Sequence, residues 1–132
     1  MIVYADSSAL LKRVIVEAES AGMRSLLARH EAAGDLVAAS SVSWLEIWRS
    51  LRRAGITQID HLATQALSGV AEHPLSDQLL TRARTVGPRW LRSLDALHLA
   101  SAIEIGAESM VTYDQRLAHA SRLLGLVVLA PG

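Results

Sequence analysis

The stretch SLDALHLASAI, residues 93–103, reads as one long helix that is apolar on nearly every side. A helix of this kind belongs in the core of a protein. It nevertheless carries the carboxylate of Asp95, and burying an ionised carboxylate without a partner costs several kcal/mol. Asp95 therefore requires a cation, a hydrogen-bonding site or a cleft that opens onto water. We predict that it marks a functional site.

Length and composition favour one domain, residues 1–132, with its own hydrophobic core, since 51% of the residues are hydrophobic. The 13 basic and 13 acidic residues cancel, which argues against a protein that coats nucleic acid through bulk charge. Because the chain has no cysteine, disulfides, thiolate catalysis and zinc–thiolate sites are excluded. Since no signal peptide and no uninterrupted apolar run of about 18 residues is present, we expect a cytoplasmic protein with no membrane partner.

Short apolar segments alternate with helical patterns along the whole chain. The predicted strands are residues 2–5, 36–39, 70–75, 109–113 and 126–129. The predicted helices are one that starts at about residue 7, then 19–33, 42–54, 57–68, 76–86, the Asp95 helix to about 105, and one that ends at 124. Strands that are apolar throughout and alternate with helices are typical of a three-layer α/β fold. We predict a mainly parallel sheet of four to five strands, with residues 70–75 at an edge because of Pro74.

Two acids, Asp6 and Asp114, each come directly after an apolar strand. In sheets of this type, ligands bind at the carboxyl ends of the strands, where the strand order reverses. We therefore expect both side chains at one edge of the sheet. Each residue also precedes a helix, so each has a simpler explanation as the N-cap of that helix.

Glu46 and Asp95 have comparable alternatives. Glu46 stands three residues after Ser43, which is the spacing of a capping box, although Ser40 or Ser41 as the true cap would place Glu46 deeper in an apolar helix. Asp95 would cap a helix that starts one residue later. Independent caps are not expected to converge on one end of a sheet, so we interpret the four carboxylates as one cluster. Sites built only from carboxylates select hard cations, and Mg²⁺ or Mn²⁺ fits better than zinc.

In order and spacing, these segments resemble the PIN-domain nucleases, and most closely the VapC-type toxins of bacterial toxin–antitoxin pairs. The resemblance covers essentially the whole chain and rests on VYADSSALLK (3–12), Glu46, LDALHLA (94–100) and VTYD (111–114). It implies a metal-dependent endoribonuclease that uses Mg²⁺ or Mn²⁺. The implied metal ligands and catalytic residues are Asp6, Glu46, Asp95 and Asp114 (the four acids), and the implied supporting residues are Ser8 and Thr112.

The resemblance also implies partners, and this chain differs from the family pattern in one respect. It implies an RNA substrate, a homodimer, and a cognate DNA-binding antitoxin of the VapB type whose C-terminal segment wraps the nuclease. We expect the antitoxin to bind in a groove of this chain, near the helices at residues 19–33 and 42–68. Many members of the family carry a further acid just after the last aspartate, where this chain has Gln115 and Arg116. This difference argues against a tightly held second metal ion.

Basic side chains near Glu46 suggest how RNA is held. Arg49 and Arg53 follow Glu46 by three and seven residues, on the same side of a helix. We predict that they contact phosphate groups beside the metal. The alternative for Arg49 is an ordinary ion pair with Glu46, worth about 0–1 kcal/mol if exposed.

Other side chains have structural interpretations. We expect His98 to be a packed residue or a support for the metal ligands, and Lys12 to lie near the acidic pocket or in solvent. Trp44 and Trp48 share a helix face and are expected in the core or at an interface.

Two functions from other classes compete with a nuclease in which a metal ion activates water for attack on phosphorus. The first is a catalytically silent PIN-like module that binds RNA or protein, against which the complete set of four acids argues. The second is a receiver-type phosphoacceptor domain, which has a similar length and an acidic Mg²⁺ pocket. Receiver domains share a pair of acids after the first strand and a lysine late in the chain. This chain has only Asp6 after its first strand, and its single lysine, Lys12, comes early.

Overall fold

A five-stranded sheet forms the centre of the protein in a computed structural model, which describes residues 1–132. The strands are β1 (Ile2–Ala5), β2 (Leu36–Ser40), β3 (Ala71–His73), β4 (Ser109–Val111) and β5 (Val127–Leu129). The helices are α1 (Ser7–Leu11), α2 (Ser20–Ala32), α3 (Val42–Arg53), α4 (Ile59–Ala66), α5 (Asp77–Ala83), α6 (Ser93–Glu104) and α7 (Gln115–Leu123). All strands are parallel, so the predicted three-layer α/β fold is confirmed.

The strand order is β3-β2-β1-β4-β5, which places β1 at the centre of the sheet. Val3 lies opposite Val37 of β2 on one side and opposite Ser109 of β4 on the other. The chain moves outward from β1 in one direction to β3 and in the other direction to β5. The strand order therefore reverses between β1 and β4, and the crevice at their carboxyl ends is the expected position for a ligand.

Alternate residues of β1 face two separate cores. Val3 and Ala5 point to the layer formed by α1 to α4, whereas Tyr4 points to the layer formed by α6 and α7. All three side chains are fully buried. A parallel strand that is covered by helices on both faces has no polar side, which explains the uninterrupted apolar run in the sequence.

The α6 helix is less buried than its sequence predicts. Ala96, Leu99 and Ala102 are buried against the sheet and the neighbouring helices, but Leu94 is 47% exposed and Ile103 is 37% exposed. The expectation of a core helix that is covered on nearly every side is therefore wrong at these two positions. The physical reason is that α6 lies in an outer layer, where it packs against β2, α5 and α7 and leaves one side to solvent.

The ends of the elements follow local signals. Gly34 and Gly55 come after α2 and α3 with φ angles of 79° and 75°, the left-handed conformation that glycine adopts without strain at a helix end. The β3 strand lies at the edge of the sheet, as Pro74 predicted. None of the seven helices has both the length and the apolar character that a membrane span requires.

Candidate active site

Asp6 follows β1 and is held by three donors. Its Oδ1 accepts hydrogen bonds from the backbone N–H of Ala9, at 3.0 Å, and from Oγ of Ser8, at 2.7 Å. Its Oδ2 accepts one from Oγ1 of Thr112 at 2.6 Å. The bond to Ala9 shows that Asp6 is indeed the N-cap of α1. Burial raises the pKa of Asp6 above its ordinary value, although these hydrogen bonds and the nearby His98 act against the increase.

Ser8 and Thr112 also connect the two strand ends that form the crevice. The Oγ of Ser8 accepts a hydrogen bond from the backbone N–H of Tyr113, and the Oγ1 of Thr112 accepts one from that of Asp114, both at 3.0 Å. Each hydroxyl therefore donates to Asp6 and accepts from the segment after β4. This arrangement places both predicted supporting residues against the carboxylate of Asp6.

Asp114 caps α7 from the neighbouring strand. Its Oδ1 accepts a hydrogen bond from the backbone N–H of Leu117 at 3.0 Å, and Oδ2 makes no hydrogen bond within the chain. The N-cap alternative is therefore correct for Asp114, as it is for Asp6. Capping does not remove either residue from the crevice, because the carboxyl ends of β1 and β4 are adjacent.

Asp95 is not a cap. The α6 helix begins at Ser93 with Arg92 as its N-cap, so Asp95 lies in the first turn and the capping alternative is wrong. Its side chain is half-buried and makes no hydrogen bond within the chain. Burial raises the pKa of Asp95, and the negative charges of Asp114, Asp6 and Glu46 raise it further, while His98 acts against them. The charges that act on Asp95 show that the other three acids lie in its neighbourhood.

Glu46 lies inside α3, whose N-cap is Ser41. Ser43 is within the helix and buried, so the capping-box alternative is wrong and the deeper position for Glu46 is correct. The Oε1 of Glu46 accepts a hydrogen bond from Nε2 of His98 at 2.6 Å. No ion pair forms between Glu46 and Arg49, so the ion-pair alternative for Arg49 is wrong. Arg49 is exposed on the same helix.

His98 connects Glu46 to the centre of the sheet. Its Nδ1 lies 2.6 Å from the hydroxyl of Tyr4, and that hydroxyl accepts a hydrogen bond from the backbone N–H of Ser40 at 3.0 Å. Burial lowers the pKa of His98, but the hydrogen bond to Glu46 and the charges of nearby acids outweigh burial, so the pKa lies above its ordinary value. Sequence reasoning missed Tyr4, although a hydroxyl in the middle of an apolar strand was a usable signal.

The donor chemistry of the site fits a hard cation without a preformed cage. No three acidic or histidine side chains are arranged to hold a metal ion between them. Mg²⁺ is usually bound through one or two carboxylates and keeps several waters, so such a cage is not required. Asp95 carries the strongest argument for a cation, since it is partly buried, lacks a hydrogen-bond donor and is repelled by three other carboxylates.

Two predictions about side chains near the site have different outcomes. The Nζ of Lys12 bonds Glu17 at 2.8 Å and Glu19 at 3.3 Å and forms no ion pair with the four acids, so the position near the acidic pocket is wrong and the alternative toward solvent remains. Trp44 is half-buried against the core, whereas Trp48 is 45% exposed. The core interpretation therefore holds for Trp44 alone.

Replacing Thr112 with valine is expected to lower the free energy of unfolding by about 1.5–3 kcal/mol, measured by urea titration in the presence of chelator. Valine keeps the shape of the side chain but removes the donor to Asp6 and leaves the N–H of Asp114 without its acceptor. The matched control is Thr64→Val, since the Oγ1 of Thr64 donates to a backbone carbonyl on an exposed helix surface. Equal losses in the two variants would contradict a special role for the Thr112 bonds.

Comparisons with known proteins find relatives that match this chain over nearly its full length. The family model of the PIN domain matches residues 3–123. The chain is 38% identical to Ribonuclease VapC47 of Mycobacterium tuberculosis (strain CDC 1551 / Oshkosh), over 99% of this chain and 98% of that protein. It is 34% identical to Ribonuclease VapC46 of M. tuberculosis (strain ATCC 25618 / H37Rv), over 98% of this chain and 97% of that protein.

Solved structures share the fold at lower identity. The M. tuberculosis VapC20 toxin, described as cleaving the sarcin-ricin loop, has a TM-score of 0.76 at 20% identity, with 98% of this chain and 99% of that chain covered. VapBC2 of Rickettsia felis, bound to a DNA fragment from its promoter, has a TM-score of 0.73 at 14% identity, with both chains fully covered. At these identities the two structures support the fold alone.

Proposed function

The chain belongs to the PIN-domain family and, within it, to the VapC group, and on that premise we propose that it is a metal-dependent endoribonuclease, the toxin of a type II toxin–antitoxin system. Residues 1–132 act as one nuclease domain in the bacterial cytoplasm. The observation that carries the proposal is the convergence of the four acids, three of which raise the pKa of the fourth, Asp95. The receiver-type alternative belongs to a different family and is set aside.

The four acids are the proposed metal ligands and catalytic residues, with Mg²⁺ or Mn²⁺ as the cofactor. When bound, the ion supplies an activated water for attack on phosphorus and stabilises the charge that develops there. Ser8 and Thr112 keep Asp6 in one orientation through their hydrogen bonds of 2.7 and 2.6 Å. Gln115 and Arg116 stand after Asp114 where a further acid would favour a second ion, so one tightly held ion is proposed.

RNA is the proposed substrate, and α3 is the proposed contact surface. Arg49 and Arg53 are exposed on this helix, which also carries Glu46. Neither guanidinium forms an ion pair with an acid, so both are free to contact phosphate oxygens. The balanced net charge of the chain means that RNA binding depends on such local contacts.

A VapB-like, DNA-binding antitoxin and a second copy of the chain are the proposed protein partners. The R. felis structure pairs a VapC-type protein with its antitoxin, which supports the same partnership here. Leu45 and Trp48 are 61% and 45% exposed on α3, within the helices predicted to form the groove. An arginine of the antitoxin placed among the four acids would pair with the charges that otherwise hold the metal ion.

Expression of the protein alone is expected to slow bacterial growth, and co-expression with its antitoxin, which we expect a short reading frame immediately upstream to encode, should restore growth. The two products should co-purify, because the antitoxin covers the groove and the acidic pocket. Growth curves, affinity purification of the tagged chain and an RNA cleavage assay measure these outcomes. If the products do not co-purify, and the chain alone neither slows growth nor cleaves RNA, the toxin assignment fails. Co-purification without any cleavage would favour the silent binding module.

A further inference from the structure

A chain of hydrogen bonds runs from the middle of the sheet to the acidic pocket. It begins at the backbone N–H of Ser40 in β2, passes through the hydroxyl of Tyr4 in β1 and the imidazole of His98 in α6, and ends at Oε1 of Glu46 in α3. Tyr4 is fully buried and His98 is 2% exposed, whereas the side chain of Glu46 is 21% exposed. The bonds thus lead from a rigid interior to a carboxylate that reaches the solvent.

The directions of these bonds depend on one another. Since the carboxylate of Glu46 can only accept, Nε2 of His98 must carry the proton of that bond. In the neutral imidazole, Nδ1 then accepts from the hydroxyl of Tyr4, whose oxygen accepts from Ser40. The carboxylate of Glu46 therefore fixes the tautomer, and the hydroxyl of Tyr4 matches this tautomer by donating to Nδ1. A protonated imidazole also has N–H at Nε2, so this donor is present in both charge states.

The consequence for Glu46 is a fixed orientation. A glutamate side chain has several rotatable bonds, and a free one at a pocket edge samples many positions. The bond to His98 holds Oε1, while Oε2 makes no hydrogen bond within the chain. In His98, Nδ1 is anchored to the sheet through Tyr4, and Nε2 donates to Glu46, a proposed metal ligand.

We propose that Tyr4 and His98 are positioning residues, which hold Glu46 in the orientation that binds the divalent cation, with Tyr4 anchoring the imidazole ring through its hydroxyl. This inference rests on the proposed function, since it requires that Glu46 is a metal ligand. Groups that orient metal ligands through hydrogen bonds typically change metal affinity or activity by about 10–100-fold when they are removed.

Two substitutions of similar size and polarity separate this role from packing. In His98→Gln the amide nitrogen occupies about the position of Nε2 and can still donate to Glu46. In His98→Asn the shorter amide reaches only the position of Nδ1, beside Tyr4, and the bond to Glu46 is lost. Tyr4→Phe removes the hydroxyl alone and keeps the ring in the core. His30→Asn is the control, because His30 pairs with Asp35 through Nδ1, outside the candidate site.

The experiment measures the Kd of Mn²⁺ by isothermal titration calorimetry on protein shown to be folded by circular dichroism, followed by RNA cleavage at saturating Mn²⁺. We expect His98→Asn and Tyr4→Phe to weaken Mn²⁺ binding at least about tenfold. His98→Gln should retain most of the affinity, and His30→Asn should match the wild type.

The outcomes distinguish this inference from the proposed function. If the wild type binds Mn²⁺ and cleaves RNA, and folded His98→Asn and Tyr4→Phe bind Mn²⁺ as tightly as the wild type, the positioning role is wrong while the nuclease proposal stands. Equal losses in His98→Gln and His98→Asn would also overturn it, because they would point to packing rather than to the Glu46 bond. A wild type that neither binds Mn²⁺ nor cleaves RNA would overturn the proposed function, and this inference with it.

Discussion

Asp95→Asn is expected to abolish RNA cleavage, with a loss in kcat of at least about 100-fold, while the metal-free protein stays as stable as the wild type or becomes more stable. Asparagine nearly preserves the shape of the side chain but cannot supply the negative charge that a cation requires. Cleavage of a labelled RNA in Mg²⁺ measures the first effect, and thermal unfolding in chelator measures the second.

The sign of the stability effect follows from the raised pKa of Asp95. Burial and the charges of neighbouring acids disfavour its ionised form in the folded state, so ionisation of Asp95 destabilises the folded protein relative to the unfolded chain. The destabilisation is present at pH 7 and is lost as the pH falls through the raised pKa toward the ordinary value of 3.8. The gain in the free energy of unfolding from Asp95→Asn should therefore be largest near neutral pH and should shrink in acid.

Asp60→Asn is the matched control for this experiment. Asp60 also lies in the first turn of a helix, but it is exposed and belongs to α4, away from the four acids. The Asp60→Asn variant should cleave RNA and unfold much as the wild type does. Full activity of Asp95→Asn in Mg²⁺ would refute the catalytic assignment of Asp95.

Chelation is expected to remove cleavage entirely, and added Mg²⁺ or Mn²⁺ should restore it. Because the ion binds the folded state alone, Mn²⁺ at about 100 times its Kd should raise the free energy of unfolding by about 2.7 kcal/mol. Calcium should also stabilise the protein but should support turnover poorly, since its longer and looser coordination positions the water less well. Thermal unfolding and cleavage assays at matched ion concentrations measure both effects.

The same titration on Asp95→Asn tests whether the stabilising ion binds among the four acids. The variant should lose most of the rise in melting temperature that the wild type shows with Mn²⁺. An undiminished rise would place the ion elsewhere. Cleavage that persists in excess chelator would exclude the proposed mechanism.

Local patterns were sufficient for most of the fold. Apolar runs such as residues 2–5, helix-ending glycines and Pro74 predicted the strands, the helix ends and the edge position of β3. These signals succeed because they depend on a residue and its immediate neighbours in the chain. The positions of Asp6 and Asp114 were also predictable, since the carboxyl ends of parallel strands lie at the same edge of the sheet.

Partners of charged side chains were harder to predict. Glu46 accepts a hydrogen bond from His98, which is 52 positions away in the chain, and forms no ion pair with Arg49, which is three positions away. Lys12 likewise contacts Glu17 and Glu19 rather than the acidic pocket. Spacing along a helix shows only which side chains share a face, whereas the choice of partner depends on how that helix is rotated against its neighbours.

The sequence by itself determined the three-layer architecture and the family resemblance, because apolar periodicity and motif order are properties of the chain, and it predicted the four acids as the site. Only the tertiary structure decided that Asp6 and Asp114 are caps as well as members of the cluster, that α6 leaves one side to solvent, and that Tyr4 and His98 connect the sheet to Glu46. Those features depend on the packing of β1, α3 and α6, which brings together residues that lie up to 94 positions apart.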